Sequence, residues 1–313
     1  MRSTTAFAPA TVSNVGCGFD VLGFALDGPG DEVTARLAPR DVTIDDIQND
    51  AGRLPREAAR NTAGVAAQAL LRALGDARGV ALSIRKGLPL ASGLGGSAAS
   101  AVAAVVAVDA LLEARAPRDL LIACALEGER LGAGSAHPDN VAPSVCGGFV
   151  LVRHPSPLDI IELPIPPGLT SVVVHPELEI VTAHARALLG ETVPLADAIR
   201  QWANMGALVD GLHRSDFAQI GRALEDAIAE PRRAPLIPGL AAIKQAAADA
   251  GALGAGISGS GPSLFALCRG REIADLVAEA MTAAVARHIG GASQVYVSSI
   301  APAGARVVSA CAS

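Results

Sequence analysis

The chain has 313 residues, of which 50% are hydrophobic, 18% are charged and only 3% are aromatic. That length allows a full hydrophobic core in one or two domains, and the scarcity of aromatic residues requires a core of alanine and aliphatic side chains. The formal net charge of −6 argues against a general nucleic-acid-binding protein, which would usually carry a basic face.

In the first half of the chain, strand-like and helix-like segments are interspersed. Strands are predicted at Glu32–Leu37, Asp41–Asp45, Val80–Arg85 and Gly147–Arg153. Helices are predicted at Asn61–Leu74, Ser97–Leu112 and Pro117–Leu131, and a polar turn region at Gly132–Pro143. The longest apolar run, Ala98–Val108, falls short of the roughly 20 residues of a membrane span, and no signal peptide is recognisable. We therefore expect a cytoplasmic protein that does not bind membranes.

A cluster of prolines near residue 160 marks the expected domain boundary, with one domain at 1–160 and a second at 161–313. In the second half, strands are predicted at Thr170–His175, Leu253–Ile257, Ser263–Leu267, Gln294–Ile300 and Arg306–Ser309. Helices are predicted at Ala183–Leu189, Leu195–Leu212, Asp216–Ala229, Leu240–Ala250 and Glu272–His288. Strands and helices without strict alternation favour the α+β class.

The most informative segment is the glycine-rich loop Pro89–Ser100. Gly93, Gly95 and Gly96 lack Cβ atoms, so their amides can turn toward a bound anion without steric cost. The helix predicted from Ser97 would add free N–H groups and the positive end of its dipole. The segment therefore predicts a cradle for nucleotide phosphates.

A dinucleotide-binding oxidoreductase is the alternative interpretation of the glycines, because Gly93–Ala98 fits G-x-G-x-x-A and Gly254–Gly259 fits G-x-G-x-x-G. Four residues separate the predicted strand from the first loop, where that fingerprint needs a tight turn. The second match leads into a predicted strand rather than a helix. No Walker A lysine follows either loop. The phosphate-cradle interpretation is favoured, and the alternative stays open on these patterns alone.

Three further segments carry polar residues with both ordinary and functional interpretations. Asn14 and Asp20 flank a Gly-x-Gly turn, which could be a simple Asx turn. Glu129 ends a predicted helix, and a loop with His137, Asp139 and Asn140 follows. Two oxygen ligands there would suit Mg²⁺, although solvated charges and a turn are the simpler explanation. Taken singly, arginines such as those at positions 186 and 233 are most often solvated.

Together these segments resemble the GHMP kinases over nearly the whole chain. Three motifs of that family occur in the expected order, at Pro9–Asp20, Pro89–Ser100 and Gly254–Pro262. Segments His137–Ser144 and Glu230–Gly239 resemble the branch that phosphorylates homoserine. The resemblance implies ATP-dependent phosphorylation of the side-chain hydroxyl of L-homoserine, giving O-phospho-L-homoserine for threonine biosynthesis. Another small-molecule GHMP kinase and a non-catalytic ligand-binding member remain alternatives.

The resemblance also implies residue roles. Arg186 and Arg233 would bind the substrate carboxylate and Asp20 its ammonium group. The other substrate-binding residues would be Asn14, His137, Asn140 and Thr182. The ATP-binding residues would be Asn61, Pro89, Leu90, Ala91, Ser92, Gly93, Leu94, Gly95, Gly96, Ser97, Ala98, Ser258 and Gly259. Ser97 and Glu129 would be Mg²⁺ ligands and, with Asn140, the catalytic residues.

Many members of the family carry an aspartate base where this chain has Asn140, eleven residues after Glu129. An amide cannot accept the proton of the attacking hydroxyl. Phosphoryl transfer tolerates this, because its transition state is loose and catalysis is mostly positioning and charge neutralisation. We therefore expect no protein base; Asp139 is the nearest alternative.

The fold implied by the resemblance has two lobes. The N-terminal lobe would be ribosomal protein S5 domain 2-like, with a left-handed β-α-β unit, and the C-terminal lobe ferredoxin-like. The active site would lie between the lobes, and a homodimer is expected. Two positions depart from the family pattern, since Gly96 stands where serine is more frequent and Cys17 where proline or alanine is.

Overall fold

A computed structural model describes residues 2–133 and 136–311. The strands are β1 Ser3–Ser13, β2 Leu22–Ala38, β3 Val42–Gln48, β4 Gly79–Arg85, β5 Phe149–Pro155, β6 Leu158–Leu163, β7 Leu169–Pro176, β8 Gly254–Ile257, β9 Leu264–Arg269, β10 Ser293–Ser299 and β11 Arg306–Cys311. The helices are α1 Thr62–Leu74, α2 Gly96–Leu112, α3 Arg118–Ala133, α4 Pro138–Cys146, α5 Thr182–Ala187, α6 Leu195–Arg214, α7 Phe217–Ala223, α8 Ala229–Arg233, α9 Leu240–Asp249 and α10 Arg271–His288.

The larger sheet has the strand order β11-β1-β2-β4-β3, and β5 and β6 extend it from the first half of β2. Its strands pair antiparallel except β3 and β4, which are parallel and joined through α1. This is the β-α-β unit that the family resemblance implies; its handedness stays a prediction. Because β11 pairs with β1, this sheet draws strands from both ends of the chain, and the boundary near residue 160 stays a prediction.

The smaller sheet has the order β10-β7-β9-β8 and is antiparallel throughout. Helices α9 and α10 pack against it, as a ferredoxin-like lobe requires. The fold is therefore α+β with two sheet-and-helix layers, as predicted. No helix in the described part of the chain has the length and apolar character needed to span a membrane.

Helix α2 lies in the centre of the larger layer. It packs against β1, β2, α1 and α3, and all its residues from Ala98 to Val105 are buried. Small side chains are what allow helices and sheet to approach this closely, which explains an alanine-rich helix with almost no polar face. The first turn of α2 is thereby fixed against the sheet, with its N-terminus directed into the space between the two layers.

The secondary structure predicted for two segments was wrong. The segment Gly132–Pro143 was expected to be a turn, but α4 begins within it at Pro138. Proline suits the first helical position, where no N–H bond is required, and Pro143 inside the helix disguised the pattern. The single helix expected at Asp216–Ala229 is instead α7 and α8. The Asp226 carboxylate interrupts it by accepting N–H bonds at the start of α8.

Candidate active site

A cleft of about 410 Å³ opens where the glycine-rich loop meets α4, α5 and the end of α8. Most of the predicted site residues line it. These are Asn14, Asp20, Asn61, Pro89, Leu90, Ala91, Ser92, Gly93, Gly95, Gly96, Ser97, Glu129, His137, Asn140, Thr182, Arg186, Arg233 and Gly259. The cleft thus brings together side chains from segments more than 200 residues apart in the sequence.

Three predicted ATP-binding residues lie behind the cleft wall. Leu94 and Ala98 are fully buried in the core. Ser258 is also buried, and its hydroxyl donates to the carbonyl oxygen of Gly93 over 2.7 Å. Their side chains therefore support the glycine-rich loop from beneath.

The glycine-rich loop needs glycine at two positions. Gly93 has φ +75° and Gly95 has φ +66°, in the left-handed region that side chains disfavour. A Cβ on Gly93 would lie 2.5 Å from the carbonyl oxygen of Ser258. Because α2 starts immediately after Gly95, its free N–H groups and dipole face the cleft. This end of the cleft, from Gly93 to Ser97, is called the phosphate end below.

The Gly254–Pro262 motif and the residue after it form hydrogen bonds to the end of β1, to Asn14 and to the glycine-rich loop. The N–H of Gly259 donates to the Ser13 carbonyl over 3.2 Å, and Asn14 Nδ2 donates to the Gly259 carbonyl over 2.7 Å. The N–H of Ser263 donates to the Ser92 carbonyl over 3.2 Å. The motif connects β8 to β9 rather than to a helix, which is not the strand-to-helix turn of a dinucleotide-binding site.

Several buried oxygen atoms of cleft residues have no hydrogen-bond partner among the described residues. Besides Ser92 Oγ and Asp139 Oδ1, they are Ser97 Oγ and Glu129 Oε2, which belong to the two predicted Mg²⁺ ligands. A buried polar atom without a partner is costly, so each is suited to a ligand that supplies the missing interaction. A hydroxyl and a carboxylate are oxygen donors of the kind that Mg²⁺ takes alongside phosphate and water. These residues therefore fit a magnesium ion.

Asn140 is held in one orientation at the centre of the cleft. Its Oδ1 accepts from the Thr11 hydroxyl over 2.8 Å, and its Nδ2 donates to Ser13 Oγ over 3.0 Å. An amide with both ends engaged has no capacity to take a proton. Asn140 is thus a neutral, fixed side chain of the cleft, and its place in catalysis stays a prediction.

Two titratable groups close to Asn140 in the chain, His137 and Asp139, have shifted pKa values. Burial lowers the pKa of His137, but the hydrogen bond and charge of Glu129, 3.3 Å away, together with the Asp139 and Asp20 charges, raise it above its usual value. Burial, and then the charge of Asp20, raise the pKa of Asp139 to about 6. Asp139 Oδ1 has no hydrogen-bond partner among the described residues. The cleft therefore holds, next to Asn140 in the chain, an acid that is costly to ionise.

The predicted carboxylate-binding arginines converge from α5 and α8. Arg186 Nη1 donates to Asp20 Oδ2 over 2.6 Å. Arg233 is buried and donates to the carbonyl oxygens of Gly259, over 2.9 Å, and Ala185, over 3.3 Å. Thr182, the weaker predicted member, has its hydroxyl 3.2 Å from Ser260 Oγ. This cluster of charges is called the acceptor end below.

Asn61 performs a structural task at the cleft edge. Its Oδ1 caps α1 by accepting from the Ala63 N–H over 3.0 Å, and its Nδ2 donates to the Pro55 carbonyl over 2.9 Å. Both polar groups are therefore engaged in shaping the loop that forms this wall. Leu54 and Pro55, which sequence reasoning missed, complete an apolar surface there with Leu90.

A buried ion pair beneath the phosphate end was also missed. Lys86 is paired with Asp31, and its ammonium donates to the Gly96 carbonyl over 2.8 Å and to Ser100 Oγ over 2.9 Å. The pair ties the first turn of α2 to β2 and to the end of β4. The sequence did offer one signal for this pair, namely a lysine between the predicted strand Val80–Arg85 and the glycine-rich loop. The segment that joins them must run beside the start of the following helix.

The two departures from the family pattern leave the site intact. A Cβ on Gly96 would have its nearest neighbour 3.5 Å away, so this position has room for a larger residue. Cys17 is buried, and burial, with the Asp226 charge, raises the pKa of its thiol to about 12. The thiol is therefore protonated, and Cys17 packs as a small apolar residue.

Comparison with known proteins gives consistent matches. Residues 61–148 match the model for the GHMP kinases N terminal domain, and residues 208–287 match that for the GHMP kinases C terminal domain. The homoserine kinase of Chloroherpeton thalassium is 48% identical over 292 residues, covering 90% of this chain and 92% of the relative. That of Xanthomonas campestris is 44% identical, covering 98% of this chain and 95% of the relative.

Solved structures extend the comparison. The crystal structure of homoserine kinase from Cytophaga hutchinsonii has a TM-score of 0.95 and 48% identity, covering 98% of this chain and 97% of that one. A mevalonate kinase of Leishmania major, solved with R-mevalonate and only 18% identical, has a TM-score of 0.73 and covers 94% of this chain and 95% of that one; it supports the fold alone.

Proposed function

This chain belongs to the GHMP kinase family, and from that premise we propose that its cleft transfers the γ-phosphoryl group of ATP to the side-chain hydroxyl of L-homoserine. The products are ADP and O-phospho-L-homoserine. The enzyme is a homoserine kinase, as its relatives at 42–48% identity over nearly their full length are. The observation that carries the proposal is a single cleft with a backbone cradle for phosphate at one end and charges of both signs at the other.

The acceptor end suits a zwitterion. Asp20 and Arg186 form an ion pair across the cleft, so each has a charged partner before substrate binds. An α-amino acid carries one group of each sign and can replace the contacts within that pair. Its ammonium group would bind Asp20, and its carboxylate would bind Arg186 and Arg233. Such an exchange keeps both protein charges compensated, which lowers the desolvation cost of binding. A neutral polyol offers no such exchange.

The chemistry requires alignment rather than a base. The homoserine hydroxyl oxygen forms a bond to the γ-phosphorus, the bond from that phosphorus to the β,γ-bridging oxygen breaks, and the hydroxyl proton leaves late to a phosphate oxygen. Asn140, fixed by Thr11 and Ser13, orients the hydroxyl without removing its proton. The amides of the phosphate end and the dipole of α2 stabilise charge on the transferring group.

Ser97 and Glu129 would hold Mg²⁺, because each has a buried oxygen without a partner among the described residues. The ion, when bound, neutralises phosphate charge. The proposal also includes a homodimer in the cytoplasm that serves threonine synthesis, and domains at 1–160 and 161–313; these rest on the family resemblance and the proline cluster.

The test is ADP release with Mg²⁺-ATP and a panel of hydroxyl compounds: L-homoserine, D-homoserine, L-serine, L-threonine, mevalonate and galactose. Strong turnover with L-homoserine alone is expected, because its chain length and its configuration together bring the hydroxyl to the γ-phosphate while its charges occupy the acceptor end. Phosphorus NMR of the product should show a phosphate ester on the side-chain oxygen. Preferred turnover of mevalonate or galactose would contradict the assignment of a zwitterionic substrate, but the protein would still be a kinase.

A further inference from the structure

One aromatic ring supports both arginines of the acceptor end. The guanidinium carbon of Arg186 lies over the ring of Phe19, 5.2 Å from its centroid, and that of Arg233 lies over the same ring at 5.1 Å. Phe19 directly precedes Asp20, the partner of Arg186, in the turn between β1 and β2. Two cations, one from α5 and one from α8, thus rest on one side chain of the turn between β1 and β2.

Without the ring, the guanidinium groups of Arg186 and Arg233 would tend to move apart. The two side chains carry like charges. The pKa of Arg233 is lowered, chiefly by burial and also by the charge of Arg186, although the charge of Asp20 acts in the opposite direction. The Arg186 side chain is 41% exposed, and Asp20 is its one carboxylate partner among the described residues, so its long side chain has freedom to move. The face of an aromatic ring attracts guanidinium groups, and its rigid plane fixes where they lie.

Phe19 does not itself form the cleft wall, whereas both arginines do. Its contact with substrate is therefore indirect. We infer that Phe19 is a positioning residue that holds Arg186 and Arg233 at the spacing required to bind one carboxylate together. This inference rests on the proposed function, because it assumes that the two arginines receive the carboxylate of L-homoserine.

The inference predicts a selective defect. Phe19→Leu keeps an apolar side chain and removes both ring contacts, so the KM for L-homoserine should rise about tenfold. The KM for ATP should stay within twofold, because the phosphate end does not depend on the ring. Phe19→Tyr, which keeps the ring, should restore the KM for L-homoserine to within twofold of wild type.

A substrate analogue separates positioning from general loosening of the site. The compound 3-aminopropan-1-ol has the hydroxyl and ammonium groups of homoserine but no carboxylate. As a competitive inhibitor against L-homoserine it should have the same Ki in wild type and in Phe19→Leu. In an Arg186→Gln background the effect of Phe19→Leu should shrink, because only one cation then remains for the ring to hold.

The outcomes distinguish this inference from the proposed function. Equal rises in the KM for L-homoserine and for ATP, a matching rise in the Ki of the analogue, or no change at all would overturn the role of Phe19. Wild type that fails to phosphorylate L-homoserine, or Arg186→Gln and Arg233→Gln that leave its KM unchanged, would instead overturn the proposed function.

A second measurement is independent of turnover. The Nε–H resonances of Arg186 and Arg233, assigned by substitution with lysine, should carry a ring-current shift that disappears in Phe19→Leu. Unchanged resonances would refute the geometry whatever the kinetics show. Far-UV circular dichroism confirms folding, and Phe19→Met takes the place of Phe19→Leu if the latter does not fold.

Discussion

The two ends of the cleft present charge by different means. At the phosphate end a contiguous stretch, Gly93–Ser97, presents backbone amides and the start of α2. At the acceptor end, side chains such as Asp20, Arg186 and Arg233 come from distant segments and compensate each other's charges. The phosphate end should therefore be sensitive to changes in its backbone geometry, and the acceptor end to altered charge.

The largest effect should come from a methyl group at the phosphate end. Gly93→Ala places a Cβ 2.5 Å and 2.7 Å from the carbonyl oxygens of Ser258 and Gly261, at a φ of +75°. The loop must move, and we expect kcat/KM to fall about 10³-fold. Gly96→Ala is the matched control, since its Cβ would meet nothing closer than 3.5 Å, and it should retain activity within a few fold. Equal losses in both variants would show that backbone geometry is not what this end requires.

Charge also matters at the phosphate end if Mg²⁺ binds there. Glu129→Gln keeps the shape of a buried side chain and removes its charge, so turnover should fall on the order of 100-fold while ATP still binds. Excess Mg²⁺ should restore activity only in part. Glu127→Gln, two residues earlier on α3 and ion-paired with Arg130 at the surface, is the control and should behave as wild type. A Glu129→Gln enzyme with wild-type rates would refute the metal assignment.

The acceptor end should respond to loss of charge with little effect on ATP. Arg186→Gln removes one carboxylate partner, and we expect the KM for L-homoserine to rise about 20-fold with the KM for ATP within twofold. Arg200→Gln, an exposed arginine on α6, serves as the control. If both KM values rose together, the division of the cleft into two independent ends would fail.

The smallest expected effect is on stability. The pKa of Asp139 is about 6 in the folded protein and 3.8 ordinarily, so between these pH values only the folded state holds the proton. Stability therefore falls as pH rises through this window, and at pH 8 the full cost of the buried carboxylate is present. Asp139→Asn should be more stable than wild type by on the order of 2 kcal/mol at pH 8, with no difference below pH 4. Denaturant unfolding at both pH values measures this.

The same variant tests the base-free mechanism. General-base catalysis contributes about 10²–10⁴-fold, so a loss of about 10³-fold or more in turnover by folded Asp139→Asn would assign the proton to Asp139. A smaller loss is what a fixed Asn140 and a late proton transfer to phosphate predict. A stability curve for the variant that parallels that of wild type at every pH would contradict the buried acid.

The structure confirms the predicted loop at Gly93–Gly95 and the helix that follows it, because the sequence information for both is local, while phosphate binding there stays a prediction. Glycines at fixed spacing before an alanine-rich helix specify their own geometry. The acceptor arginines were predicted only through family resemblance, since no local pattern distinguishes Arg186 from a solvated arginine. Helix α4 was missed because Pro143 resembles a turn signal. The ion pair of Lys86 and Asp31 was missed because the two residues meet only through the pairing of β2 with β4.

The most direct test of the two-ended cleft uses wild-type enzyme and three acceptors. L-Homoserine carries both charges, 3-aminopropan-1-ol lacks the carboxylate and 4-hydroxybutanoate lacks the ammonium group, while all three have the same hydroxyl. If the acceptor end recognises a zwitterion, kcat/KM for each analogue should be at least about 100-fold below that for L-homoserine, with the KM for ATP unchanged. Either analogue turning over within tenfold of L-homoserine would contradict the account.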